Sequence, residues 1–190
     1  MTMGTLTYTD LVEVDLTNLM LAADDWKSVV DGLKKLVSDA RSGLLKKSEG
    51  ARWAGLNATV THEFVRKTTK EFEDLHKEAS SIYAILDDAH DQLTEMQDTV
   101  KRVVVRAEVY GYKFSDNSDG TVSFDVPEGD DSRLARDLGQ SYANTIKEKI
   151  SRAVETDRLV KRALAKVHGG DPSDAGHAQY RGVVEIRAWG

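Results

Sequence analysis

No cysteine occurs anywhere in the 190-residue chain, which excludes disulfides, thiolate metal sites and thiol nucleophiles and leaves the redox compartment open. Proline appears only at Pro127 and Pro172, so helices can run uninterrupted over most of the sequence. No stretch is apolar enough for long enough to span a bilayer. Residues Met1 to Leu16 mix Thr, Gly, Asp and Glu with isolated apolar residues and lack the apolar run of a Sec signal. Lys and Arg are mostly interleaved with Asp and Glu, and the formal charge is −6, so the electrostatic footprint of a nucleic-acid binder is missing. Catalytic signatures are also missing. No Ser sits in a Gly-x-Ser-x-Gly elbow, and Gly111, Gly120 and Gly129 are too dispersed for a phosphate-cradling loop. The expectation is a protein with no catalytic residues and no cofactor, not an enzyme.

What the chain does contain is helical patterning, on a hydrophobic fraction of 40% that can supply a core. Leu19, Ala23, Trp26, Val30, Leu33, Val37, Ala40 and Leu44 follow alternating steps of four and three, the seam of one helix. Asp15 or Thr17 can cap its start, and Lys46, Lys47 and Gly50 suit its end. A longer seam runs Val65, Thr68, Phe72, Leu75, Ala79, Ile82, Leu86, Ala89, Leu93, Met96, Val100, Val103, Ala107, Tyr110. A helix from about Asn57 to Tyr110 would reach roughly 80 Å, the length of a coiled-coil arm. Paired with the shorter first helix, this one leaves apolar stripe to cover. Its association seam is assigned to Leu75, Ile82, Leu86, Leu93, Met96 and Val100.

After Tyr110 the period becomes two. Residues 111–115 and 121–126 alternate around Asp116-Asn117-Ser118-Asp119-Gly120, which reads as a β-hairpin whose Tyr112, Phe114, Val122 and Phe124 need cover. Asp130, Asp131 or Ser132 can cap a third helix carrying Leu134, Leu138, Tyr142, Ile146, Ile150, Val154 (or Ala153), Val160 and Leu164 to about Val167. This helix is expected to pack back along the distal part of the second. The fold class is therefore all-α: a long antiparallel helical hairpin over 1–110, a β-hairpin over 111–128, a third helix over 129–168 and a tail or junction over 169–190.

His62, His76 and His90 share one heptad position flanking the second seam. Neighbours fourteen residues apart are about 21 Å apart on a helix, whereas two histidines on one ion sit about one turn apart, so no metal is expected. They edge the seam and soften it on protonation.

Between the two seams lies Gly50-Ala51-Arg52-Trp53-Ala54-Gly55-Leu56-Asn57. A Gly permits the reversal, and a large aromatic can plug the end of the helix pair. With Trp53-Ala54-Gly55 placed where a helical hairpin turns, the sequence resembles the WXG family of type VII secretion proteins over about Asp15 to Tyr110, and longer actinobacterial members beyond. The resemblance implies export without a Sec signal from the cytoplasm. It also implies helical homo- or heterodimers with a WXG-like partner, and recognition by a type VII secretion ATPase. Its bipartite signal would comprise Trp53 and Gly55 in the turn and a Tyr-x-x-x-Asp element, matched only by Tyr83 and Asp87, which fall mid-helix instead of after it. Two other readings are an N-terminal targeting and dimerisation module of a larger secreted toxin or hydrolase, and an intracellular structural coiled coil.

Overall fold

A computed structural model of the chain describes residues 6–47 and 56–167. In order it contains α1 (Tyr8–Glu13), α2 (Thr17–Asp39), a π-helical segment (Ala40–Leu45), α3 (Leu56–Val109), β1 (Lys113–Asp116), β2 (Val122–Asp125) and α4 (Arg133–Val167). The long second helix, the β-hairpin and the third helix stand where the apolar periods put them. The chain divides into two compact units. One unit is Met1–Asn18 with Ala89–Leu159, the other Leu19–Asp88 with Val160–Gly190.

The first unit is built around Leu11, Met96, Val100, Val122, Ala143, Ile146, Ile150 and Ala153, all buried in one cluster. Four elements contribute to it, so the hairpin and the N-terminal segment are parts of a common core. Helix α3 ends in a Schellman arrangement: Tyr112 N–H donates to the Ala107 carbonyl and Gly111 N–H to Glu108, with Gly111 at φ +88°. The chain then reverses into β1. Strands β1 and β2 pair antiparallel with Phe114 opposite Phe124 and Asp116 opposite Val122. Positive φ at Ser118 and Gly120 closes the connection. A two-stranded sheet is marginal alone. Here Val122 is in the core, Phe114 and Phe124 pack against its edge, and buried Tyr112 donates its hydroxyl to the Ala135 carbonyl at 2.9 Å. Tyr112 also meets Tyr142 edge-on, with ring centroids 5.7 Å apart.

The register of α4 differs from the expected one at both ends. Ser132 is the cap, its Oγ accepting from Ala135 N–H at 3.1 Å. The inward face then runs Ala135, Gly139, Ala143, Ile146, Ile150, Ala153, Thr156, Leu159, Ala163, Val167. Leu134 is 78% exposed, and Leu138 and Val154 are exposed as well. Small residues face inward because the hairpin's aromatic rings occupy the space: a Cβ at Gly139 would lie 2.3 Å from Phe124 Cε2. Of the two alternatives weighed at the middle of the helix, Ala153 is the buried one.

Helix α1 is an element that apolar periodicity did not reveal. Thr7 and Asp10 form a reciprocal capping box, and Leu11 is buried. The carbonyls at its C-terminal end are met by the buried Gln97 amide, whose Nε2 donates to Leu11 at 3.0 Å and Val14 at 2.9 Å, with Val12 at 3.3 Å. A polar side chain in a core is retained at low cost only when its partners are present, as here.

A second tie joins α1 to the hairpin. Asp116 Oδ2 accepts from Thr9 N–H and its Oδ1 from Ser118 N–H, both at 2.8 Å. Burial pushes the carboxyl up, but hydrogen bonds from the Thr9 and Ser118 backbone and the Thr9 and Thr7 hydroxyls outweigh it and hold the pKa at about 2, below the ordinary 3.8. A folded-state pKa below the unfolded one gives stabilisation that is complete above the unfolded value and disappears as pH falls through the folded one. The melting temperature of wild type should therefore approach that of Asp116→Asn as pH drops from about 4 to about 2, with a constant gap above about 5. Thermal melts of both proteins across this range test it; a gap independent of pH would show that Asp116 does not tie α1 down.

In the second unit, α2 and α3 run antiparallel. Arg41 pairs with Glu73 at 2.8 Å, and further back along α2, Asp24 and Lys27 lie near Tyr83. The inward face of α2 and the π-helical segment holds Ala23 and Ala40, buried, and Leu19, Trp26, Val30, Leu33 and Val37, half-buried. Asp15 Oδ1 accepts from Thr17 N–H at 2.9 Å at its start. Leu44 departs from this seam and is exposed. It falls in the π-helical segment, whose wider turn sends the Lys46 N–H to the Arg41 carbonyl and shifts the phase of every side chain after it. On α3 the covered face includes Thr69, Ala79, Ser81, Ile82, Ile85 and Leu86, and α4 adds Ala163 and Val167.

Candidate association surface

Trp53 and Gly55, the residues on which the turn resemblance rests, lie outside the described residues. What the structure describes is the helices on either side: the π-helical segment ends at Leu45 and α3 begins at Leu56.

Tyr83 and Asp87 are one turn apart on α3, and the Tyr83 hydroxyl donates to the Asp87 carboxylate. Burial raises the Tyr83 pKa above 10.0, and the charge and hydrogen bond of Asp87 add to the rise, while Lys27 opposes it. Lys27 itself is paired with Asp31 at 3.1 Å. The Tyr ring is thus half-buried beside α2, and only Asp87 of the pair is exposed. A receptor would meet a carboxylate there and not a free Tyr-x-x-x-Asp face.

The assigned association seam is largely used within the chain. Met96 and Val100 belong to the core of the first unit with Leu93 at its edge, and Ile82 and Leu86 are buried in the second. Helices α1 and α4 supply cover that pairing with α2 alone would not. Only Leu75 is exposed: the inward face at this level runs through Thr69, Phe72, His76 and Ala79, which turns Leu75 to the flank.

Apolar surface does remain on the second unit, at Leu75 and at positions outside the assigned seam. Leu21, Val29 and Leu36 are exposed on α2 at steps of eight and seven, so they form one stripe. Val60, Phe64 and Leu75 are exposed on α3 at steps of four and eleven, again one stripe; Phe64 is 69% exposed. A large aromatic so open to water is the kind of residue that a protein contact buries. Apart from Leu75, none of these residues belongs to the heptad seams; they flank them.

Of the three spaced histidines, His90 lies 3.4 Å from Asp91, and His76 stands at the α2 side of α3 among charged neighbours. Among the described residues no group of three or more His, Asp or Glu is placed to hold a metal ion, and no helix is long and apolar enough to cross a membrane. No family model matches the chain, and neither a curated protein nor a solved structure does.

Proposed function

We propose that this chain is a WXG-type protein of a type VII secretion system, exported without a Sec signal and acting through helix association instead of catalysis. The observation that carries the reading is the position of Trp53-Ala54-Gly55 in the interval between two long helices that run antiparallel, the setting the family resemblance requires. The exposed stripes on α2 and α3 support the association part, because the seam is already occupied within the chain and these residues are what a second helical protein can cover. The partner is another copy or a WXG-like helical protein, with a secretion ATPase reading the turn.

Association is tested by light scattering over a range of concentrations. Wild type should be a dimer or should capture a helical partner. The double substitution Val29→Glu with Phe64→Glu should give a monomer of unchanged melting temperature, since both side chains are exposed and each change alters stability by only about 0.5 kcal/mol. A wild type that stays monomeric at high micromolar concentration without capturing a helical protein would remove the association claim.

A further inference from the structure

On the second unit, α2, the π-helical segment and α3 leave a groove of about 610 Å³ between them. Its walls carry Lys34 and Arg41 from one side and Lys77 and His76 from the other, against the single carboxylate of Glu73. Three cations face one anion, an inversion of the charge balance of a chain whose total is −6.

The groove is organised as well as basic. Glu73 Oε1 accepts from Arg41 Nε at 2.8 Å and lies 2.8 Å from its Nη2, which holds the guanidinium against the carboxylate and leaves N–H donors over. Lys77 is held by Asp74 at 3.0 Å, so Lys34 supplies the unpaired positive charge and Arg41 its remaining N–H donors. His76 Nε2 is closed off from solvent and has no hydrogen-bond partner among the described residues. Val37 and the methylene stems of the lysines provide an apolar wall. The π turn that carries Arg41 and Ser42 is a feature that recurs at functional sites.

We propose that this groove binds a phosphomonoester, the phosphoryl group between Lys34 and Arg41 beside the His76 ring and the organic body along Val37. A phosphomonoester carries about −1.5 to −2 charges near neutral pH and three strong acceptor oxygens, which match the unpaired Lys34 ammonium and the remaining N–H donors of Arg41 better than a carboxylate does. The volume lies within the roughly 300–1,000 Å³ of small-molecule sites and exceeds what inorganic phosphate would fill. This inference does not depend on the secretion reading and survives its failure.

The test is calorimetric titration of the full chain at low salt with phenyl phosphate, inorganic phosphate and benzoate as probes. Phenyl phosphate should bind saturably with a Kd of the order of 1 mM or tighter, and the other two more weakly. Lys34→Ala should weaken it about threefold to fivefold, the effect of one exposed ion pair, whereas Lys35→Ala, one residue away and outside the groove, should change it less than about twofold. Both lysines are exposed, so unchanged thermal melts confirm that the variants are folded. In nitrogen-edited NMR spectra the His76 ring signals, identified by their loss in His76→Gln, should move on titration with phenyl phosphate. Absence of saturable binding, equal weakening by the two lysine variants, benzoate binding as tightly as phenyl phosphate, or a stationary His76 signal would each overturn the proposal.

Discussion

Ile146→Asp should unfold the first unit. Ile146 is fully buried in the cluster formed by Leu11, Met96, Val100, Val122 and the inward face of α4. Removing its branched side chain costs about 2–5 kcal/mol, and an unpaired buried charge adds a penalty of similar size. Domains of this size are stable by only about 5–15 kcal/mol, so little or no folded population of that unit should remain. Leu134→Asp, on the same helix, should change stability by no more than about 0.5 kcal/mol, because the side chain is 78% exposed. It also lies in the first turn of α4, where a negative charge faces the positive end of the helix dipole, so any change should be a slight gain. Urea unfolding followed by circular dichroism, with amide exchange read over residues 8–14 and 93–104, distinguishes the two variants. Equal losses would mean that the helix packs in the register that hydrophobicity alone suggests.

That comparison shows why part of the fold was legible and part was not. The long helices could be read because a step of four and three over many turns brings apolar residues onto one face whatever packs there. The hairpin could be read because a run of turn-forming residues separates two alternating segments, and Ser118 and Gly120 adopt the positive φ that such a turn needs. At the start of α4 the same reasoning favours Leu134 and Leu138 over Ala135 and Gly139, since transfer energy rewards the larger side chain. Packing reverses the order: the Phe124 ring already fills the space beside Gly139, and a leucine cannot enter. Sequence period reports which residues prefer burial, and the shape of the partner decides which of them obtain it.

Polar contacts were harder to anticipate for a related reason. Gln97 looks like a surface residue until α1 brings three carbonyls to it, and α1 is too short for its period to announce it. Thr7 and Asp10 carry its one local signal, a capping box. The basic groove has no motif at all, because Lys34 and Arg41 reach Glu73, His76 and Lys77 only through the antiparallel register of two helices. That register is fixed by the whole seam along which the two helices pack.

Trp53→Phe should separate the two duties the turn can have. As a plug between helices, an aromatic of nearly the same shape should serve almost as well, at a cost of about 1 kcal/mol by analogy with modest core resizing. As a recognition element, phenylalanine lacks the indole N–H and the larger ring that a receptor would read, and aromatic anchors of this kind account for a large share of binding energy at many interfaces. The hypothesis that an export ATPase reads Trp53, which rests on the position of Trp53-Ala54-Gly55 between two antiparallel helices, gives unequal outcomes on the two axes. Secreted protein should fall by about tenfold or more, corresponding to about 1.4 kcal/mol or more of lost recognition, while the thermal melt moves by only a few degrees and partner association persists. The measurement is the ratio of secreted to cytosolic protein for wild type and variant in a host with an intact type VII system, with a melt of each purified protein. A variant exported like wild type would leave Trp53 as a structural plug and remove the residue-level basis for the secretion reading; a variant that fails to fold would contradict the small cost assigned to the ring exchange. Gly55→Ala supplies the complementary case, because it keeps the indole and strains any backbone conformation open only to glycine: a loss of export there that tracks the loss of stability would assign Gly55 to the turn and leave recognition to Trp53.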